Sequence, residues 1–311
     1  MYAVIDLGSN SFHLLIAEYC NDHFQAVARV SRKIQLAEGL NSSPYLSAPA
    51  ISRGIECLKE FKSILLQYPI ERQRVVATQA LREAENARDF VSIANELGFE
   101  IDIISGEQEA KLIFTGVNDP LPESSKQRLV IDIGGASTEI SLGANSHASF
   151  AQSLPMGCVK WRDQFFSKSI QYQTNGVKAQ DAARKVLAPI QSQLSKLNWQ
   201  ETYSSSGSSK MLASIAEANG WSDGEITLHC IEQVEEQLSH INSIQDLYLP
   251  GLNPTRLDLL APGVAILGSI MRALNIQTIQ HSRTALREGV LSELTQCRVD
   301  YRLLNEAAFT A

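Results

Sequence analysis

Two acids, Asp6 and Asp132, each stand where an apolar run meets a glycine turn. Val4-Ile5-Asp6-Leu7-Gly8-Ser9-Asn10-Ser11 and Val130-Ile131-Asp132-Ile133-Gly134-Gly135-Ala136-Ser137 share the pattern Val-Ile-Asp-x-Gly-x-x-Ser. Main-chain amides exposed in a Gly/Ser turn can cradle anionic oxygens, and a carboxylate ending the preceding strand can carry a divalent cation against them. A single strand-end Asp is commonly a turn cap. Repetition argues for chemistry, because a repeat kept for packing alone would need the apolar residues more than the acid. A third stretch, Ser206-Gly207-Ser208, follows a strand and opens a helix, so its amides form another candidate anion nest.

Other candidates are single residues. Ser105-Gly106-Glu107-Gln108-Glu109-Ala110 joins a strand end to a helix start. Acids there complement the helix dipole, and one of them could instead face substrate and take a proton from water; spacing alone leaves Glu107 and Glu109 both open. Arg82, just past a strand read over Arg74 to Thr78, has the fork geometry for phosphate oxygens, but a helix-surface charge reads the same way. The histidines show no HExxH spacing and no His-Asp dipeptide, which argues against a zinc site.

The elements that must hold these residues follow from periodicity. Ala3 to Asp6, Phe12 to Tyr19 and Phe24 to Val30 read as strands with turns at Gly8-Ser9-Asn10 and Asn21-Asp22, and the basic run Arg29, Arg32, Lys33 reads as the start of a solvated loop. Ser47 and Pro49 open a helix with Ile51, Ile55, Leu58, Phe61 and Leu65 on one face. Strand and helix then alternate through Val117, which predicts a mixed sheet covered by helices. Asp119 to Ser125 is polar and proline-bearing, the expected crossover between halves. The pattern restarts with strands at Leu129 to Ile133, Thr138 to Leu142 and Ala148 to Ser153. Helices are expected at Gly157 to Phe166, Val177 to Leu197, Thr227 to Ser239, Arg256 to Leu274 and Thr284 to Thr295, and strands at Glu201 to Ser205 and Thr278 to His281.

Composition narrows the function classes. The chain has 311 residues, is 44% hydrophobic and 20% charged, and carries a formal charge of −7, which suits two globular domains and argues against non-specific nucleic-acid binding. Cys20, Cys57, Cys158, Cys230 and Cys297 lack CxxC spacing, as in a reducing cytoplasm. The longest apolar run, Pro262 to Met271, is too short to span a bilayer. A soluble, cytoplasmic protein without membrane or nucleic-acid partners is expected.

Taken together, these segments resemble the exopolyphosphatase and guanosine pentaphosphate phosphohydrolase family, within the actin-hexokinase-chaperone ATPase superfamily. Ile5 to His13 and Asp132 to Glu139 resemble its two phosphate loops, Thr78 to Arg82 its Thr-x-x-Leu-Arg segment, and Ser105 to Ala110 its glutamate segment. Ser206 to Ser208 is similar to an Ala-Ser-Gly-Thr loop, and Ala285 to Val290 to a Leu-Arg-Glu-Gly tail.

The resemblance implies an α/β protein of two similar ribonuclease H-like (actin-like ATPase) lobes, residues 1–122 and 123–311, each a mixed five-stranded sheet with helices around a central cleft. It leaves room for the last helix, about 284–311, to pack back on the first lobe, and for a homodimer. It implies release of orthophosphate from the end of polyphosphate or from guanosine pentaphosphate. Glu109 then matches the catalytic base, Glu139 and Asp132 cleft carboxylates associated with metal and water, and Arg82 a phosphate-contacting arginine. Gly8, Ser9, Asn10 and Ser11, with Gly134, Gly135, Ala136 and Ser137, would hold the terminal phosphate, with Mg²⁺ or another divalent cation near Asp6 and Asp132. Ala136 stands where the family usually has glycine, and at a positive φ it would cost about 1–2 kcal/mol. The rival expectations are an ATP-dependent small-molecule kinase on the same architecture and a non-catalytic nucleotide-sensing protein.

Overall fold

A computed structural model describes residues 1–20, 23–40, 42–167 and 169–296. The expected turn at Asn21-Asp22, Cys297 and the last helix beyond residue 296 lie outside the described residues. The chain divides into two compact units: unit 1 is Met1–Ser124, Asn145–Ala148 and the residues from Thr284, and unit 2 is Ser125–Ala144 and Ser149–Arg283.

Unit 1 opens with β1 (Tyr2–Leu7), β2 (Ser11–Cys20) and β3 (His23–Lys33). Beyond the helix α1 (Ala48–Leu65) come β4 (Arg72–Ala77), α2 (Gln79–Glu83), α3 (Ala87–Glu96), β5 (Ile101–Ile103) and α4 (Gly106–Asn118). Its sheet runs β3-β2-β1-β4-β5, antiparallel within the opening strands and parallel from β1 through β5. Ser47 caps α1 by accepting from the Ala50 amide, with Pro49 in the first turn, as its sequence predicts. The core beneath gathers Ile5, Leu7, Phe12, Leu14, Phe61, Val75 and Phe90, the inward set that strand alternation and helical spacing select.

Unit 2 repeats the plan with β6 (Arg128–Ile133), β7 (Thr138–Ala144), β8 (His147–Leu154), β9 (Glu201–Ser205) and β11 (Thr278–His281). Its helices are α5 (Cys158–Trp161), α6 (Tyr172–Leu194), α7 (Gly207–Ala218), α8 (Leu228–Ser239) and α9 (Leu260–Ala273). The sheet order is β10-β11-β9-β6-β7-β8, where β10 is Ile226–Thr227. This sheet therefore has six strands rather than the expected five, because Ile226 and Thr227 pair antiparallel with β11 before Thr227 caps α8. The mixed sheet with helices that was expected of each half is present in both.

Three further expectations change. Arg29, Arg32 and Lys33 belong to β3, not to a loop: Arg29 reaches the fully buried Glu288 at 3.1 Å and Arg32 pairs with Glu60. The helix expected over Gly157 to Phe166 is one α-turn followed by a π-turn, Arg162–Phe166, and the one expected from Arg256 starts as a 3₁₀ stretch, Pro254–Leu259. Ala136 is not among the positive-φ residues, so the strain anticipated there does not arise.

The last described helix, α10 (Leu286–Thr295), belongs to unit 1 and packs on α4, β1 and β4. Gly116 and Gly289 let α4 and α10 cross with their backbones almost touching, since a methyl at either position would overlap a carbonyl of the other helix segment. Glu288 closes this joint: its Oε2 accepts from the Ala285 amide at 2.8 Å while Oε1 faces Arg29.

Candidate functional site

In unit 1 the parallel strands β1, β4 and β5 end at the same sheet edge, so Asp6, the α2 segment and the start of α4 emerge there together. Ser105 caps α4 through a reciprocal box with Gln108. That fixes the first turn, and helical geometry then separates its two acids. Glu107 lies on the solvent side, where Lys111 one turn on holds its carboxyl below the usual range. Glu109 is buried, and Nη1 of Arg82 donates to its Oε2 at 2.7 Å and to the Ile104 carbonyl at 2.8 Å. Arg82 comes from the last turn of α2 rather than from a strand end. The guanidinium thus ties the α2 segment, the end of β5 and the Glu109 carboxylate together.

In unit 2, Asp132 and Glu139 are direct cross-strand partners on β6 and β7. Asp132 Oδ2 accepts from the Ser205 hydroxyl at 2.5 Å, and buried Glu139 accepts from Ser153 at 2.6 Å. The unit 1 counterpart of Glu139 is His13, opposite Asp6. The two halves therefore repeat the turn but not the acid across from it.

Both turns use glycine for room. A Cβ on Gly8 would sit 2.9 Å from the Ser11 carbonyl oxygen, and one on Gly134 would sit 3.2 Å from that of Ser137. The segment following the third strand supports each turn. In unit 1 the Ser9 carbonyl accepts from Ala37, and the Asn10 carbonyl from Ile34 and Gln35, at 2.8–3.0 Å. In unit 2 the Gly134 carbonyl accepts from Cys158 at 2.9 Å, and the Gly135 carbonyl from Val159 at 2.8 Å and Lys160 at 3.1 Å. Across a trans peptide the C=O and the following N–H point in opposite directions. Carbonyls held on the support side therefore turn the amides of Asn10, Ser11, Gly135 and Ala136 away from it, the orientation an anion requires.

The third turn has different mechanics. Ser206 is held at φ 100°, ψ 162°, and its hydroxyl caps α7 at the Ser209 amide. The Arg256 guanidinium lies across Gly207 so closely that a methyl there would overlap it. Sequence reasoning missed Arg256 because it sits inside a segment read only as a helix start. At the neighbouring strand end, burial pushes the His281 imidazole below its usual range.

Residues 15–297 match the Ppx/GppA phosphatase family. The chain belongs to that family. An exopolyphosphatase from Cytophaga hutchinsonii is similar in structure, with a TM-score of 0.86 at 24% identity over 96% of this chain and 99% of that one. The Ppx/GppA family member from Aquifex aeolicus matches with a TM-score of 0.77 at 25% identity over 95% of this chain and 97% of that one. Family membership carries the broad activity, hydrolytic release of phosphate, and with it the expectation of a divalent metal.

The donor set fits such a metal in one way. Among the described residues no three His, Cys, Asp or Glu side chains cluster as a metal cage. Each unit offers one strand-end carboxylate beside an anion-directed turn, Asp6 in unit 1 and Asp132 in unit 2, and such a group suits a hard cation that takes its remaining ligands from water and substrate phosphate. No helix among the described residues is long and apolar enough to cross a membrane.

Proposed function

We propose that this chain hydrolyses a phosphoanhydride, releasing orthophosphate from the end of inorganic polyphosphate, from guanosine pentaphosphate, or from both. Phosphoryl transfer needs positioning and charge neutralisation more than covalent chemistry. The amides of Gly8–Ser11 in unit 1 and those of Gly134–Ser137 in unit 2 each bind phosphate oxygens, and Ser206–Ser208 with Arg256 binds a further phosphate. Glu109 accepts the proton of the attacking water. Arg82 keeps that carboxylate in place and adds positive charge beside it, while Glu139 orients water or a metal ligand. Asp6 in unit 1 and Asp132 in unit 2 would each offer a ligand for Mg²⁺, which when bound neutralises charge on the phosphate oxygens.

The observation that supports this best is the buried Glu109 carboxylate held by Arg82 at the strand ends. A buried acid paired with an arginine adds little net stability over apolar packing, so its place beside the strand ends supports a chemical role. Phosphate release from short polyphosphate, long polyphosphate and guanosine pentaphosphate, measured with the wild type and Glu109→Gln, tests the proposal. Turnover should fall about 100-fold or more with substrate binding little changed. Equal turnover would remove Glu109 from the mechanism, and no release from any of the three substrates would end the proposal.

A further inference from the structure

The support beneath the second turn does more than hold two carbonyls. Gly157 precedes α5 so closely against the turn that a Cβ there would lie 2.5 Å from the Gly135 oxygen and 2.6 Å from the Ala136 nitrogen. Cys158, the next residue, donates its amide to the Gly134 carbonyl at 2.9 Å. Its thiol meets the Ser208 hydroxyl at 3.0 Å, and both side chains are buried. Gly263 of α9 lies beneath the pair, where a Cβ would lie 3.4 Å from Ser208 Cβ and 3.7 Å from Cys158 Sγ. One residue therefore touches the second turn with its main chain and the third with its side chain. The strands that lead into these two turns, β6 and β9, are joined where Ser205 donates to Asp132 and Ser204 donates to the Ile131 carbonyl at 2.7 Å.

We propose that Gly157–Cys158 is a positioning element that locks the second and third turns of unit 2 into one rigid body, so that their outward amides keep a fixed spacing. The inference rests on the proposed phosphate-binding role of those turns. Cys158 does not touch substrate; it acts through Gly134 and Ser208. Burial pushes its thiol up to about 11, so it meets Ser208 as a neutral S–H group and not as a nucleophile.

Amide hydrogen exchange on the full chain tests the lock without any substrate. Cys158→Ala should speed exchange about tenfold both at the amides of residues 158–160, which hold the carbonyls of the second turn, and at the Ser209 amide, which Ser206 caps, through the loss of one buried hydrogen bond. Cys158→Ser, whose hydroxyl can still meet Ser208, should keep wild-type rates. Ser208→Ala should loosen the amides of residues 158–160 as Cys158→Ala does, and the double variant should be no looser. Phosphate release should follow, with Cys158→Ala lowering kcat about tenfold, KM staying within about twofold, and Cys158→Ser restoring kcat. Unchanged exchange at residues 158–160 or at Ser209 in Cys158→Ala, or Cys158→Ser behaving like Cys158→Ala, would overturn the lock. A wild type that releases no phosphate would overturn the function proposed above and leave the exchange result to decide the lock alone.

Discussion

Ser206→Gly should stabilise unit 2 while impairing turnover. Ser206 sits at φ 100°, ψ 162°, a region open to glycine and costly for any residue with a Cβ. Relieving that conformation returns about 1–3 kcal/mol. Glycine's looser unfolded chain takes back about 0.4–1 kcal/mol, and replacing a serine cap by glycine costs a few tenths more. The hydroxyl-to-Ser209 contact is long at 3.3 Å, so little else is lost. The balance is a gain of about 1 kcal/mol, equivalent to an upward shift of about 0.5 M in urea midpoint. The assay is selective, because all three tryptophans, Trp161, Trp199 and Trp221, lie in unit 2 and their fluorescence follows that unit alone. Phosphate release should drop at the same time, since a turn relaxed from its strained form no longer presents its amides in one direction. A midpoint that falls by about 0.5 M or more would refute the strain argument.

Other outcomes follow from the same geometry. Arg82→Ala deprives a carboxylate only 8% exposed of a charge-assisted hydrogen bond, so kcat should fall about 10–100-fold, with Arg82→Lys restoring part of it; full activity in the alanine variant would separate Arg82 from Glu109. Asp132→Asn should raise the Mg²⁺ concentration for half-maximal phosphate release about tenfold, and an unchanged metal titration would count against Asp132 as a ligand. Burial pushes the Cys158 thiol up to about 11 and the Cys230 thiol up to about 12 from 9.0. Below pH 9 both states keep these protons and the contribution is fully present; above it the unfolded chain releases them first. Unit 2 should then lose up to about 1.4 kcal/mol per thiol by pH 10 in urea titrations read by tryptophan fluorescence, whereas stability flat from pH 8 to 10 would contradict burial of these groups.

The duplicated acid-glycine turn was legible because its information is local: a strand end, a glycine and a hydroxyl at fixed spacing. So was the start of α1, where Ser47 and Pro49 act on their own helix. Spacing left Glu109 and Glu107 both open, and the faces they take on α4 separate them. Lys111 pairs with Glu107 at 2.6 Å on one face, whereas Glu109 shares the buried face with Ile113 and Gly116. What stayed hidden depends on partners far along the chain. Arg29 reads as a solvated charge because the acid that meets it is Glu288, and Cys158 reads as an ordinary buried thiol because the hydroxyl it meets belongs to residue 208. The sixth strand was missed for another reason: two residues are too few to show alternation.

The crossing of α4 and α10 has a consequence for the order of synthesis. The helix that covers α4 in unit 1 is encoded after every residue of unit 2, so the ribosome delivers unit 2 complete while the glycine face around Gly116 still waits for Gly289. At ordinary elongation rates that wait lasts roughly ten seconds or more. During it the nascent first unit offers an open flank on which another apolar helix could settle. A stop codon after Arg283 would make that interval permanent, and its product should be recovered bound to chaperones even though every residue of the second unit is present.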